Sequence, residues 1–317
     1  MIAIGAASTP FERRAEAAIA AIPGWAGRPG RYALAAAPIA SPTHRAVAAD
    51  CLRVAIEGEA PAFLKVSHDD MAGDVLPWAG AAAARAAACG VGPAVIAAGP
   101  GVLALEWLPE PWAYARVGDL QPHAATASVL DAKARLHASG PLGHEFSPFA
   151  RAAALGREAR AAGAPLPADL DRLLAAADLA RAALAAAGAD RTFCHNDGIA
   201  SNVMRDSAGG LRLVDFDLAG DNDPWFDVGA LLNEVYEFDA DRRALIEHRA
   251  GTCREALFAR TRLYGFVDDL MWGLWGITRA VTSGRPGIEF FKYGQWRLLR
   301  ARTTLGHREF ETWLRIL

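Results

Sequence analysis

"FCHNDGIASNV", residues 193–203, sets His195, Asp197 and Asn202 on a short polar stretch with apolar residues on either side. Asp197 and Asn202 are five positions apart, a spacing that does not share one helical face, and the stretch is too polar for a buried strand. A second stretch, "LRLVDFDLAGDNDPWFD" at 211–227, puts Asp215 and Asp217 at the end of an apolar run. Turn residues from Ser207 to Gly210 separate the two, so 192–218 reads as loop, strand, turn, strand. Two carboxylates and an amide brought together by a hairpin are hard oxygen donors, which raises the question of a metal.

Outward from this island the chain divides in character. Toward the N-terminus, residues 9–21 read as an amphipathic helix stopped by Pro23-Gly24. "RYALAA", "HRAVAADCLRVAIEG" and "PAFLKVS" read as strands within 30–66, and "AVIAAG" and "GVLALEWL" as two more around Gly99-Pro100-Gly101. Between them, 74–89 reads as an alanine-rich helix ended by Gly90. From Pro109 onward the pattern is helical outside the island, over about 116–138, 146–162, 167–187, 227–237, 239–258, 262–283 and 288–313. The expected architecture is α+β: a small strand-rich unit at 1–106 and a large, mainly helical unit at 107–317.

The chain has 317 residues, enough for a sizeable core. A net charge of -3 gives no electrostatic reason to expect nucleic acid or an anionic membrane as partner. Cys51, Cys89, Cys194 and Cys253 lie far apart without a CxxC pair and read as reduced thiols, so the expected location is cytoplasmic. The first residues carry charges before any long apolar run, a poor signal peptide, and no stretch reaches the roughly 18 uninterrupted apolar residues of a membrane span. A homodimer is compatible with the sequence, though no surface for one can be read from it.

Phosphoryl transfer needs few parts: a base for the attacking hydroxyl, oxygen ligands for Mg2+, and a cation for the phosphates. Asp197 is the candidate base, Asn202 and Asp215 the candidate metal ligands, and Lys65, in the strand "AFLKV", the candidate phosphate cation. Taken singly, Asp197 could be a helix cap and Lys65 an exposed strand lysine. Their order along the chain argues for the site. Asp217 reads as a group that supports the metal ligands or as a further ligand itself, His195 as a structural hydrogen-bonding residue, and Asp227 as a brace for the loop that also caps the following helix.

The order strand lysine, Asp-x-x-x-x-Asn, metal Asp resembles that of protein kinases. The variant here, "FCHND" with Asn202 five residues on, then "LVDFD" and "NDPWFDVG", is similar to the aminoglycoside phosphotransferase and choline/ethanolamine kinase superfamily, closest to its choline/ethanolamine branch. The resemblance implies a protein-kinase-like two-lobe fold. It also implies ATP and Mg2+ as cofactors, a hinge at Glu106, Trp107 and Leu108 that holds the nucleotide, and a phosphate turn ending at Thr43. Two departures stand out. The turn "APIASPTHRAV" at 37–47 has Ala40 and Ser41 where the family has glycines, and Pro42 removes an amide donor. The helix after Lys65, where such kinases place a glutamate, has no acid over 75–90; Asp69, Asp70 and Asp74 are the nearest substitutes.

For the acceptor, Trp272 and Trp275 are three apart on one helix, with Tyr293 on the next and Glu234 on the helix after the metal loop. On spacing alone, such tryptophans are core residues. Aromatic faces also attract ammonium groups, and the resemblance places Trp272, Trp275 and Tyr293 on cage positions, Glu234 on an acidic substrate position and Arg297 on a structural one. The implied substrate is a small-molecule alcohol, choline or ethanolamine first. The alternatives are the same chemistry on thiamine, an aminoglycoside or a sugar, or a catalytically weak ligand-binding protein of kinase fold.

Overall fold

The computed structural model describes residues 1–40 and 44–317, so Ser41, Pro42 and Thr43 lie outside the described residues. The N-terminal region runs β1 (Ile2–Ala3), α1 (Pro10–Ala20), β2 (Gly30–Ala36), β3 (Ala49–Ile56), β4 (Ala62–Ser67), a 3-10 turn (Asp69–Asp74), α2 (Ala79–Ala88), β5 (Val95–Gly99) and β6 (Val102–Glu106). Among the described residues its strands form one antiparallel sheet in the order β1-β2-β3-β4-β6-β5. Strand alternation decides what reaches the cleft. Ala62, Leu64 and Val66 of β4 are buried against Ile19, Ile22 and Trp25, in and just after α1, while Phe63 and Lys65 point to the other face. Cys51 and Leu103, the register neighbours of Lys65 on β3 and β6, point the same way.

The C-terminal region follows as β7 (Ala113–Tyr114), α3 (Val117–Leu120), α4 (His123–Ala138), α5 (Pro148–Ala161), α6 (Leu170–Ala187), β8 (Thr192–Cys194), a 3-10 turn (Ala200–Asn202), β9 (Val203–Arg205), β10 (Leu211–Leu213), β11 (Gly220–Asn222), α7 (Pro224–Val235), α8 (Asp239–Ala250), α9 (Glu255–Thr282), α10 (Phe290–Leu305) and α11 (Phe310–Ile316). The island expected at 192–218 is a β9–β10 hairpin, closed by Asp206 Oδ1 accepting from Ala208 and Gly210 N–H. To it are added β8 and β11, which pair antiparallel and hold the ends of the two polar loops together. A sheet-rich N-terminal region followed by a helical C-terminal region is the α+β architecture expected from the sequence. No helix among the described residues is long and apolar enough to cross a membrane.

Several boundaries differ from the reading of the sequence. Residues 44–48 are not part of a strand; they form a turn in which Ala46 has φ 52°. The helix expected at 74–89 begins only at Ala79, because Pro77 excludes the residues before it from helix. The helix expected at 116–138 divides at Gln121-Pro122. The break expected between 258 and 262 lies earlier, at Gly251 with φ 75°, and α9 then runs 28 residues without interruption. Gly306 divides the last expected helix in two.

α9 and α10 approach closely through glycines. A Cβ on Gly276 would lie 2.7 Å from Gly294 Cα and N and from Phe290 O. Since α9 carries Trp272 and Trp275 and α10 carries Tyr293, this contact sets the spacing of the three rings. Gly276→Ala is therefore expected to cost about 1–3 kcal/mol by overpacking, read as a lower urea midpoint with an unchanged slope.

Candidate functional site

The two polar loops are positioned by one buried carboxylate. Asp227, in the first turn of α7 and fully buried, accepts hydrogen bonds from the backbone N–H of His195 and of Asn196, both at 2.9 Å. It also meets Lys133 Nζ at 3.1 Å and His137 Nε2 at 2.8 Å, two residues one turn apart on α4. Burial would raise its pKa, but the Lys133 and His137 charges outweigh burial and hold the carboxyl far below the usual range. Bracing the loop is the role expected for Asp227. The helix cap belongs instead to Asp223, whose Oδ1 accepts from Trp225 N–H at 2.9 Å.

His137, Cys194 and Asp227 lie close enough to suggest a metal group, but the Asp227 oxygens are already taken by four donors, and burial pushes the Cys194 thiol well above its ordinary pKa. Gly198 lets the loop rest on α7: a Cβ there would lie 2.5 Å from Ala230 C.

The second loop docks on the first. His195 Nε2 lies 2.9 Å from Val214 O, the structural role expected of it, and Val214 N–H donates to Asn202 O at 2.9 Å. Asn196 Nδ2 donates to Leu218 O and Gly220 O. Asn196 and Asp215 hold φ of 63° and 66°, a left-handed conformation that Asn and Asp tolerate better than most residues. Asp197, Asn202, Asp215 and Asp217 thus line one cleft between sheet and helices, of about 330 Å³, with Lys65 on its opposite wall.

Lys65 Nζ lies 2.6 Å from Asp215 Oδ1 and 2.5 Å from Asp217 Oδ2. This answers the missing glutamate: Lys65 is held by the two aspartates of the second loop. Asp74 lines the same cleft but is engaged by Trp275 Nε1 at 2.9 Å and Arg279 Nε at 2.8 Å, and Asp70 accepts from Ser283 and Gly284.

Three carboxylates and one ammonium share the cleft floor. Burial, and then the charge of Asp215, push Asp197 up to about 8. Burial and the same charge push Asp217 up to about 7 against the pull of Lys65. Burial acts on Asp215 as well, but the Lys65 ammonium wins and holds it below its ordinary value. Asn202 Nδ2 is buried with no hydrogen-bond partner, so the side-chain amide is not committed to the protein. Two carboxylates and that amide on one cleft form an oxygen-rich donor set that fits a hard divalent cation.

Glu106, Trp107 and Leu108 follow β6 into the same cleft. Thr43 lies outside the described residues. Trp272 and Trp275 line the far end, edge to face, with ring centroids 5.3 Å apart. Tyr293 packs against Trp275 at 6.0 Å, is buried and does not itself line the cleft. Glu234 does not reach this cleft. It pairs with Arg297 at 3.1 Å and faces a separate groove of about 1370 Å³. Arg297, fully buried, also pairs with Asp268 and Asp269, the structural part expected of it.

Sequence reasoning missed Lys133, whose only signal was a lysine on an otherwise apolar helix face. His44 fell at the end of the stretch read as the phosphate turn, but its imidazole sits among the aromatic rings.

Comparison with known proteins agrees with this geometry. Residues 47–266 match the model of the family described as "Phosphotransferase enzyme family". Ethanolamine kinase 2 of Rattus norvegicus is 31% identical over a stretch covering 32% of this chain and 31% of that protein, so the chain spans about a third of the length of the curated relatives it matches. Among solved structures, a choline/ethanolamine kinase family protein from Mesorhizobium loti is 25% identical with a TM-score of 0.76, covering 96% of this chain and 98% of that one. A choline kinase from Streptococcus pneumoniae, solved also in complex with AMP, is 19% identical with a TM-score of 0.67, covering 80% and 89%.

Replacing Asp227 by Asn would leave Lys133 buried without a charge partner. The variant is expected to lose about 3–5 kcal/mol, measured by urea denaturation near neutral pH. Because the folded pKa of Asp227 is depressed, its contribution is present above the unfolded carboxylate value of about 4 and fades on acidification. The gap between variant and wild type should narrow as pH falls.

Proposed function

The chain belongs to the phosphotransferase enzyme family, and from that premise we propose that it transfers the terminal phosphoryl group of ATP to the hydroxyl of a small amino alcohol, choline or ethanolamine first. The observation that carries this reading is the convergence of Lys65, Asp197, Asn202, Asp215 and Asp217 on one cleft. Glu106, Trp107 and Leu108 border the adenine end of that cleft, and the related choline kinase solved with AMP supports a nucleotide there.

Asp197 takes the proton of the acceptor hydroxyl as its oxygen forms a bond to the γ-phosphorus. The bond from that phosphorus to the bridging oxygen breaks, and ADP leaves. Asn202, Asp215 and Asp217 would hold Mg2+, which supplies neutralisation of phosphate charge when bound. Lys65, kept charged at the same floor by its two aspartates, is the cation that meets the phosphates. The backbone brace from Asp227 fixes where Asp197 stands without touching the reacting atoms.

Trp272, Trp275 and Tyr293 would receive the ammonium of the acceptor, since aromatic faces attract such cations. Glu234 would act only at a distance, as part of a cluster in which three carboxylates (Glu234, Asp268, Asp269) meet two guanidiniums (Arg297, Arg300). That pairing favours a second reading, the same transfer to an alcohol without a quaternary ammonium.

ADP release with ATP and Mg2+, compared across choline, ethanolamine, thiamine and kanamycin, tests the proposal. An amino alcohol should be turned over, and Asp197→Asn should lower kcat by about 10²–10⁴-fold while keeping the wild-type melting temperature. An Asp197 variant with full activity overturns the assignment.

With a raised pKa, Asp197 is protonated and inactive as a base below it. kcat/KM should therefore climb with pH, reach half its plateau at about 8 and level off above that. Trp272→Ala should raise the acceptor KM by about 2- to 30-fold, the equivalent of one cation–π contact, and leave the ATP KM nearly unchanged. An equal rise in both would remove the aromatic residues from the acceptor site.

A further inference from the structure

The ring enclosure read above as the ammonium site holds a ring of the protein's own. The imidazole of His44 lies 4.3 Å from the ring centroid of Trp272, 5.2 Å from Trp275 and 5.4 Å from Tyr293, the last edge to face. Its Nδ1 is 3.1 Å from the Tyr293 hydroxyl, and the residue is only 7% exposed. Burial drives its pKa down to about 3, so the ring is neutral.

The backbone at this point is fixed from below. Ser201, beside the candidate metal ligand Asn202, donates its hydroxyl to His44 O at 2.8 Å. Arg285, in the connection between α9 and α10, donates to Ala46 O and Val47 O and meets Asp50 at 3.3 Å. A neutral side chain from the sheet region is thereby seated where aromatic faces and the Asp215 and Asp74 carboxylates favour a cation, against the opposing charge of Arg297.

We propose that His44 limits acceptor binding: it occupies the ammonium position among Trp272, Trp275 and Tyr293, and an acceptor enters there only by displacing the imidazole. This rests on the reading of the three rings as the acceptor enclosure. The displacement costs the His44–Tyr293 hydrogen bond and the ring contacts, so it lowers affinity for every ammonium. Removing the ring opens the enclosure to bulky head groups that the wild-type protein binds poorly.

The probe is tetramethylammonium, titrated by calorimetry into wild type, His44→Ala, His44→Phe, Trp272→Ala and the double variant His44→Ala/Trp272→Ala. The expected result is at least tenfold tighter binding to His44→Ala than to wild type, no gain in His44→Phe, whose ring refills the space, and loss of the gain in the double variant. If His44→Ala binds no tighter than wild type while Trp272→Ala weakens binding, the enclosure stands and the displacement proposal falls. If binding is the same with and without Trp272, the enclosure reading falls and the proposal with it.

Should His44→Ala fail to fold, the wild-type protein answers by NMR. Displacement takes the imidazole out of the ring currents of two tryptophans, so its ring-proton resonances must move toward ordinary histidine positions as tetramethylammonium is added. Binding that leaves them in place overturns the proposal.

Discussion

The site depends on a single buried carboxylate. Two consecutive backbone amides, those of His195 and Asn196, would be left without partners by a loop that turns sharply enough to present Asp197 to a cleft. Asp227 satisfies both at once, and its own charge is balanced by Lys133 and His137 from α4. No member of this group can be removed without stranding another in a low-dielectric interior. The loop therefore has one conformation, and Asp197, Asn202 and, through Val214, Asp215 inherit their positions from it.

The sheet region is joined to this frame by charge. Lys65 leaves β4 on the face opposite the α1 core and reaches the two aspartates of the second loop. A protein with an acid on α2 would hold the lysine within its own region. Here α2 is alanine throughout except for Gly80 and Arg85, and Arg85 donates to Ser139 O at the end of α4. The lysine's partners are thus its prospective neighbours in chemistry. One ammonium between two carboxylates leaves the floor of the cleft negative, and burial, followed by the charge of Asp215, lifts Asp197 and Asp217 out of the ordinary carboxylate range.

The parts legible in the sequence were those whose signal is local. The spacing from Asp197 to Asn202 and the run before Asp215 mark the two loops because each motif lies within one short segment, and β4 alternates over enough residues to set the facing of Lys65. β1, β7 and β11 are two or three residues long and carry no period that could be recognised. Read from the sequence, 259–261 falls between two helices, the second of which begins at Arg262. Arg260, Thr261 and Arg262 are buried in α9 because Arg260 meets Asp223 and Arg262 lies over the Trp313 ring, partners far away in the chain. Glu234 was legible as an acid on the right helix, but its pairing with Arg297 was not, since the two are 63 residues apart. The His44–Tyr293 contact spans 249 positions, beyond any periodicity argument.

The same long-range logic ties the two ends of the cleft together. α9 presents Trp272 and Trp275 to the cleft, and three residues or one turn further on each meets the N-terminal region: Trp275 and Arg279 both bind Asp74, the last residue of the 3-10 turn after β4. Asp70 of that turn accepts from Ser283 and Gly284 just beyond α9, and Arg285 holds Ala46, Val47 and Asp50. These contacts run from the strand that carries Lys65 to the helix that carries the aromatic rings without passing through the catalytic loop. The distance between Lys65 and the Trp272 and Trp275 rings is consequently set by buried contacts such as Asp74–Arg279 and not by a hinge alone, and His44 lies between the two supports.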